Sequence, residues 1–293
     1  PSTFERGMEL LMKGLQWKTL ILYLDDIIVL GSTFEEHLER LNEVLSRLGQ
    51  AGLKLKPSKC NLVKSEVCYL GHVVSAKGIK PDPDKIDRIH QWPTPKTVTD
   101  VRSFIGLCSY YRRFIRGFSS IASPLTRLME KSRTFEWDSE CQSAFDELKL
   151  AITSDNCMAY PNDEGMFILD TDASATGVGA VLSQLQWDES AQCELERPVA
   201  FASRSLTKTQ RRYCTTRREL LAVVSFVCHF RHFLFGRKFL IRTDHSSLRW
   251  IMSFREPTDQ MARWIERLSQ FDFVIEHREG RKHGNADALS RIA

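Results

Sequence analysis

Residues 19–31 are apolar on both sides of two adjacent aspartates, Asp25 and Asp26. An apolar run, a short polar break and a second apolar run read as a tight β-hairpin with both arms buried. The stretch falls short of the roughly 18 apolar residues that a membrane-crossing helix needs, so no spanning segment is expected. Paired carboxylates at the turn of such a hairpin repel each other and are costly near an apolar core unless a cation or a basic partner neutralises them. A divalent metal would do so; a solvated Asp-Asp turn is the plainer alternative.

The rest of the 293-residue chain is long enough for two or three packed units. Its 42% apolar and 27% charged residues exclude disordered, collagen-like and membrane-spanning classes. After the hairpin, Ser32 with Glu35 fits a capping box, and Leu38, Leu41, Leu45 and Leu48 recur at helical spacing until Gly49 and Gly52. Residues 53–56 alternate Leu and Lys as a half-buried strand would, and a further strand pair is expected over residues 67–74. Pro81, Pro83, Pro93 and Pro95 mark a boundary. Beyond it, Phe104, Leu107, Tyr111, Phe114 and Phe118 predict one amphipathic helix over residues 100–118, and residues 137–150 predict another. From residue 166 the elements alternate: strands over 166–172, 178–182 and 199–204, a long helix over 216–234, a strand over 239–243, a helix over 260–271, a strand over 273–277 and a terminal helix over 286–291. The fold class is therefore mixed sheet with helices, α/β or α+β in several domains.

Net charge is only +4, so any case for a polyanionic partner rests on local clusters. The eight cysteines include no CxxC pair and no signal peptide precedes them, which fits reduced thiols in an intracellular protein. Cys60, Cys68 and His72 lack metal-site spacing. Pro1 without a Met suggests a fragment.

Tyr23-Leu24-Asp25-Asp26 on a hairpin resembles motif C of reverse transcriptases, and the likeness runs on in the order of a gypsy-class LTR retrotransposon Pol polyprotein. Gly52 to Cys60 resembles the strand and turn that close the palm, and Tyr69-Leu70-Gly71-His72 the primer grip. Residues 92–116 resemble the thumb, and Pro1-Ser2-Thr3-Phe4 the tail of motif B. The resemblance implies the C-terminal part of a palm over residues 1–80, a thumb over 81–132, a connection over 133–165 and an RNase H-like mixed-sheet domain over 166–293. It also implies RNA-directed DNA synthesis and cleavage of RNA in RNA/DNA hybrids, with two Mg²⁺ or Mn²⁺ ions per active site. The implied partners are RNA/DNA hybrid, template-primer and dNTPs, with protease and integrase as polyprotein neighbours, inside cytoplasmic virus-like particles. In that family a further Asp on motif A shares the polymerase metals. It lies upstream of motif B, so Asp25 and Asp26 carry over as metal-binding residues of a site held here in part. The alternative is a non-catalytic, nucleic-acid-binding remnant of a retroelement.

The same resemblance marks Asp172 at a strand end, Glu219 in the first turn of the long helix, Asp244 at another strand end and Asp287 at the start of the last helix. Four carboxylates at element ends suit a two-metal phosphodiesterase, one ion activating water and the other stabilising the leaving oxygen. Taken singly, each has a simpler reading. Thr216 with Glu219 makes a capping box, Asp287 could serve a helix dipole, and Asp170 is a solvated neighbour on the Asp172 face. His277, ten residues before Asp287, matches the retroviral position of a histidine that assists proton transfer or product release, where many gypsy-class elements carry Tyr. A surface His is the alternative. His283 stands where many relatives have Asn. Phosphate contacts are expected from Lys54, Lys56 and Lys59, from Arg112, Arg113 and Arg116, and from Arg211, Arg212, Arg217 and Arg218. Tyr110, Tyr111 and Phe114 are expected in the thumb core.

Overall fold

The computed structural model describes residues 2–131, 133–153, 157–189, 191–248 and 259–278. The chain divides into two compact units, Pro1–Tyr69 and Leu70–Ala293.

The first unit holds α1 (Ser2–Leu11), β1 (Leu20–Tyr23), β2 (Asp26–Val29), α2 (Phe34–Gln50) and β3 (Glu66–Tyr69). β1 and β2 pair from Leu20↔Val29 to Tyr23↔Asp26, so the turn is Leu24-Asp25, with Leu24 in the left-handed region at φ 54°. Its core is Met8, Met12, Leu15, Leu20, Leu22, Val44 and Leu48. Only alternate β1 residues are buried and β2 is at most half-buried, contrary to the expected doubly buried hairpin. The helices cover one face of this two-stranded sheet, and period 2 sends the other side chains outward. The cap of α2 sits one residue later than expected. Thr33 Oγ1 accepts from Glu36 N at 3.2 Å, and Glu36 reaches back to Ser32 N at 2.6 Å while pairing with Arg40 at 2.5 Å. Glu35 has neither partner at that register. Residues 53–56 are irregular and exposed rather than a strand: Leu-Lys alternation makes no sheet without a partner for its backbone groups.

The second unit opens with the antiparallel hairpin of β4 (His72–Ser75) and β5 (Gly78–Pro81). A helical layer follows: α3 (Pro83–His90), α4 (Val98–Tyr110), α5 (Phe118–Ile121), α6 (Ser123–Arg127) and α7 (Ser139–Thr153). The single helix expected over residues 100–118 is broken. Tyr111, 1% exposed, ends α4 and donates its hydroxyl to Gly71 O at 2.8 Å; a 3₁₀ turn spans Arg112–Phe114, and Gly117 at φ 69° starts α5. Phe104, Tyr111, Phe114 and Phe118 nonetheless all lie in one core with Ile89, Leu125 and Phe145. Tyr110 departs from its expected core position. It is 52% exposed, its ring stacks on His72 at 5.3 Å, and its hydroxyl donates to Leu70 O.

The last elements are β6 (Phe167–Ala173), β7 (Gly177–Asp188), β8 (Cys193–Ser205), α8 (Thr215–His229), α9 (Arg231–Leu234), β9 (Lys238–Thr243), α10 (Asp259–Leu268) and β10 (Asp272–His277). They build one mixed sheet in the order β10-β9-β6-β7-β8, antiparallel across β6, β7 and β8 and parallel across β6, β9 and β10. β6 is central and buried over six of its seven residues. α8 packs on it, and its Leu220, Val223, Val224 and Val227 share one core with Phe167 and Leu169 of β6 and Ile241 of β9. The helix expected over 216–234 breaks at Phe230, whose buried ring joins this core. The expected helix over 286–291 lies outside the described residues.

The helical layer is fastened to the outer strand of this sheet. Arg112 Nη2 donates to Ser203 O at 2.7 Å, Arg113 Nη2 to Val199 O at 3.3 Å, Ser119 N to Ser203 Oγ at 3.0 Å and Ala159 N to Pro198 O at 2.9 Å. Burial holds the Arg113 guanidinium below its ordinary value.

Candidate active site

Parallel pairing of β6 with β9 aligns Asp170 with Arg242, so Asp172 and Asp244, each two residues further on, emerge side by side at the strand ends. Glu219, one turn into α8 rather than in its first turn as expected, is brought over them. Carboxylate oxygens of Asp172, Glu219 and Asp244 all lie within 4.8 Å of one another. Asp172 is 4% exposed and Glu219 2%, while Asp244 is half-buried. They line an open cleft of about 230 Å³ together with Ala173, Ser174, Thr215 and His245.

Glu219 Oε1 accepts from Ala173 N at 3.2 Å, whereas Oε2 is buried with no hydrogen-bond partner. Burial, followed by the charges of Asp172 and Asp244, pushes the Glu219 carboxyl up to about 9. A cluster that sheds its repulsion only by keeping a proton is one that a cation stabilises instead. An all-carboxylate donor set suits a hard divalent ion, so these residues fit one.

Neighbouring groups brace the cluster. Arg218 Nη1 donates to Ser174 O at 2.9 Å, and Ser174 Oγ accepts from Gly177 N at 2.9 Å, fixing the loop after Asp172. His277, exposed at the end of β10, sets Nε2 2.9 Å from Asp244 O. His245 Nε2 lies 2.7 Å from Thr216 Oγ1. Behind Asp172, Arg242 grips Asp170 through two nitrogens, Nε at 2.6 Å, and Glu196 through Nη1 at 2.9 Å.

Two sequence expectations fail here. Thr216 and Glu219 form no capping box: α8 starts at Thr215 after Cys214, Thr216 turns to His245 and Glu219 to the carboxylates. Asp170 is not solvated but fully buried on Arg242. Asp287 and His283 lie outside the described residues. Sequence reasoning passed over Arg242 and His245, although both flank Asp244 within two positions.

The basic residues divide. Lys54, Lys56 and Lys59 are exposed in the first unit. Arg112 and Arg113 are occupied on β8, and burial draws the Arg116 guanidinium down while Asp170 holds it up. Arg217 stacks over Tyr213 at 4.2 Å and donates to Gln260, Arg218 braces the Asp172 loop, Arg211 donates to Leu206 O at 3.1 Å, and Arg212 is exposed. Asp25 and Asp26 are exposed at their turn, and among the described residues no third ligand-type side chain completes a cluster with them. Burial and the Asp26 carboxylate raise the Tyr69 phenol, whose hydroxyl is buried without a partner. Leu70 and Gly71 follow with positive φ, 48° and 70°.

The family described as "Reverse transcriptase (RNA-dependent DNA polymerase)" matches residues 1–74, and "RNase H-like domain found in reverse transcriptase" matches residues 162–271. The chain is 40% identical over 293 residues to the Retrovirus-related Pol polyprotein from transposon 297 of Drosophila melanogaster, covering 100% of this chain and 27% of that protein. It is 37% identical to the Pol polyprotein from transposon 412 of the same organism, covering 100% and 23%, and 34% identical to that from transposon gypsy, covering 99% and 28%. The chain thus spans about a quarter of these relatives. The foamy viral protease-reverse transcriptase solved with double-stranded DNA superposes with a TM-score of 0.81 at 22% identity, over 96% of this chain and 58% of that one. The same viral protein solved with RNA/DNA hybrid gives 0.79 at 20%, over 96% and 38%. At these identities the two structures speak for the fold. Residues 1–74 thus belong to the reverse-transcriptase family and residues 162–271 to the RNase H-like family, and along its whole length the chain is similar to the segment of retrotransposon Pol polyproteins that joins those two domains.

Proposed function

We propose that residues 166–293 form a divalent-metal-dependent nuclease that cuts the RNA strand of an RNA/DNA hybrid. The observation that carries this reading is the convergence of Asp172, Glu219 and Asp244 within 4.8 Å, with one buried carboxylate oxygen left without a partner. These three, with Asp287, would hold two Mg²⁺ or Mn²⁺ ions. When bound, the ions supply a lowered water pKa and positive charge for the phosphodiester oxygens. The chain's own residues do the positioning. Paired strand ends set Asp172 beside Asp244, Ala173 N–H orients Glu219, and Arg218 and His277 hold the two loops. The direct test is Mg²⁺-dependent cutting of a labelled hybrid; binding without any cutting would instead support the non-catalytic remnant.

Within the same reading, residues 1–80 are the closing part of a polymerase palm, 81–132 its thumb and 133–165 a connection. Asp25 and Asp26 would serve the metals of RNA-directed DNA synthesis, with dNTPs and a template-primer resting near Tyr69, Leu70 and Gly71. The match of residues 1–74 to the reverse-transcriptase family and the exposure of both carboxylates support this. Among the described residues no helix is long and apolar enough to cross a membrane. Protease and integrase neighbours in a longer polyprotein and action within cytoplasmic virus-like particles belong to the same proposal.

Lys54, Lys56, Lys59 and Arg116 are proposed as phosphate contacts, with Arg217 and Arg218, engaged on Gln260 and Ser174 O, adding positive charge beside the cleft. Arg112 and Arg113 are given a different task by their bonds to β8. Replacing both with Gln is expected to cost a few kcal/mol, since hydrogen bonds to charged groups contribute about 1.5–3 kcal/mol each. The melting temperature should fall by roughly 5–10 °C. The slope of log K against log salt for hybrid binding should stay the same; a slope flattened by about 0.9 per residue would return both to the phosphate backbone.

His277 is expected to act through Asp244. His277→Ala should slow cleavage about tenfold, the lower end for loss of a group that orients a metal ligand. His277→Tyr should lose less, because a phenol can donate to the same carbonyl, and metal affinity should hardly move in either. Parental rates for both variants across pH 6 to 9 would remove His277 from the site.

A further inference from the structure

The contact between Thr216 and His245 links two of the three converging carboxylates, and nothing in the proposed chemistry uses it. Thr216 lies on the first turn of α8, three residues before Glu219 and on the same helix face. His245 follows Asp244 directly. The 2.7 Å approach of Thr216 Oγ1 to His245 Nε2 therefore ties the element that carries Glu219 to the one that carries Asp244, across 29 residues of sequence. Both side chains are half-buried. His245 is held from its own side as well, with Ser247 Oγ 3.4 Å from Nε2 and its backbone N donating to Thr243 Oγ1 at 3.2 Å. The start of α8 has no side-chain cap bond at Cys214; Thr215 Oγ1 accepts from Arg218 Nη2 at 3.5 Å, and the Thr216 hydroxyl is spent on His245. On the other side, Arg218 ties the same helical turn to Ser174 O, next to Asp172.

We infer that His245 is a positioning residue of the nuclease site, and that its bond to Thr216 latches the first turn of α8 onto the end of β9 so that Glu219 and Asp244 face a common cation. Glu219 Oε2 has no partner of its own, so the placement of the helix turn, with the Ala173 N–H bond to Oε1, decides where that oxygen lies. Arg218 fixes the helix against the Asp172 loop and the latch fixes it against Asp244. Together they triangulate Glu219. The inference rests on the nuclease reading above.

The test is calorimetric titration of Mn²⁺ into the full chain, beside the Mn²⁺ dependence of hybrid cleavage. Thr216→Val, which keeps shape and loses the hydroxyl, and His245→Ala should each weaken Mn²⁺ binding about tenfold. The double variant should be no weaker than the worse single one, because both remove the same bond. Thr216→Ser should bind as the parent does, and at saturating Mn²⁺ the cleavage rate of Thr216→Val should largely recover. Parental Mn²⁺ affinity in Thr216→Val, or losses that multiply to about a hundredfold in the double variant, would overturn the latch. If His245→Ala does not fold, Thr216→Val against Thr216→Ser carries the same comparison. Asp244→Asn separates the two levels. Its loss of Mn²⁺ beside parental binding in Thr216→Val sinks the latch alone, whereas parental binding in Asp244→Asn sinks the metal site itself.

Discussion

Asp172→Asn and Glu219→Gln are each expected to reduce cleavage of the RNA strand by at least about a thousandfold, some 4 kcal/mol of transition-state stabilisation. The two should part company in stability. Glu219 has its carboxyl raised from 4.5 to about 9, first by burial and then by Asp172 and Asp244. The folded chain therefore keeps a proton that the unfolded chain releases, and without metal its stability should fall as pH rises from about 4.5 to about 9. Glu219→Gln removes that titration, so the variant should be flatter across this window and more stable than the parent at pH 8, by up to a few kcal/mol. Added Mg²⁺ should restore the parent and leave the variant unmoved. Urea unfolding at pH 5 and pH 8, with and without chelator, reads all of this. Parental cutting by both variants would remove the metal-site assignment.

Arg242→Ala should be among the most destabilising single changes in the second unit, by about 3–5 kcal/mol, because it strips a buried carboxylate of the guanidinium that neutralises it. Asp170 is fully buried, and Arg242 is 12% exposed between Asp170 and Glu196. Burial alone would draw the Arg242 guanidinium down; hydrogen bonds to Asp170 and Glu196 outweigh this and hold it above its ordinary value. Asp170→Asn, which keeps hydrogen-bonding capacity, should cost less. Since Asp170 is two residues from Asp172 on the same strand face, Arg242→Ala should also weaken Mg²⁺ binding. A variant that melts within 2 °C of the parent would show that water replaces the guanidinium there.

The three converging carboxylates were legible because element ends are legible: a strand running into Asp172, a strand running into Asp244 and a helix beginning just before Glu219. Their braces were not. Asp170 looks solvated until Arg242, 72 residues away, is placed against it by parallel pairing of β6 and β9. Thr216 and Glu219 satisfy a local capping rule, yet the fold gives both side chains other partners. The apolar pattern over residues 100–118 found the buried side chains and missed the break at Tyr111, where a hydroxyl bonded to Gly71 O competes with continued helix. Arg112 and Arg113 read as a basic face because no local signal announces a carbonyl on a distant strand. Leu-Lys alternation over residues 53–56 likewise says nothing of whether a neighbouring strand exists.

The fastening of the helical layer to β8 has a consequence for how the protein can be cut into pieces. An outermost strand offers its unpaired backbone groups to any passing chain, and proteins blunt such edges to avoid aggregation. Here the carbonyls of Pro198, Val199 and Ser203 are already taken, by Ala159 N, Arg113 and Arg112. Those donors all precede residue 162, where the RNase H-like match begins. A fragment trimmed to the RNase H-like limits would lose these protecting donors and gain a sticky edge, so the chain that precedes residue 162 serves as a built-in guard against self-association of its own neighbour.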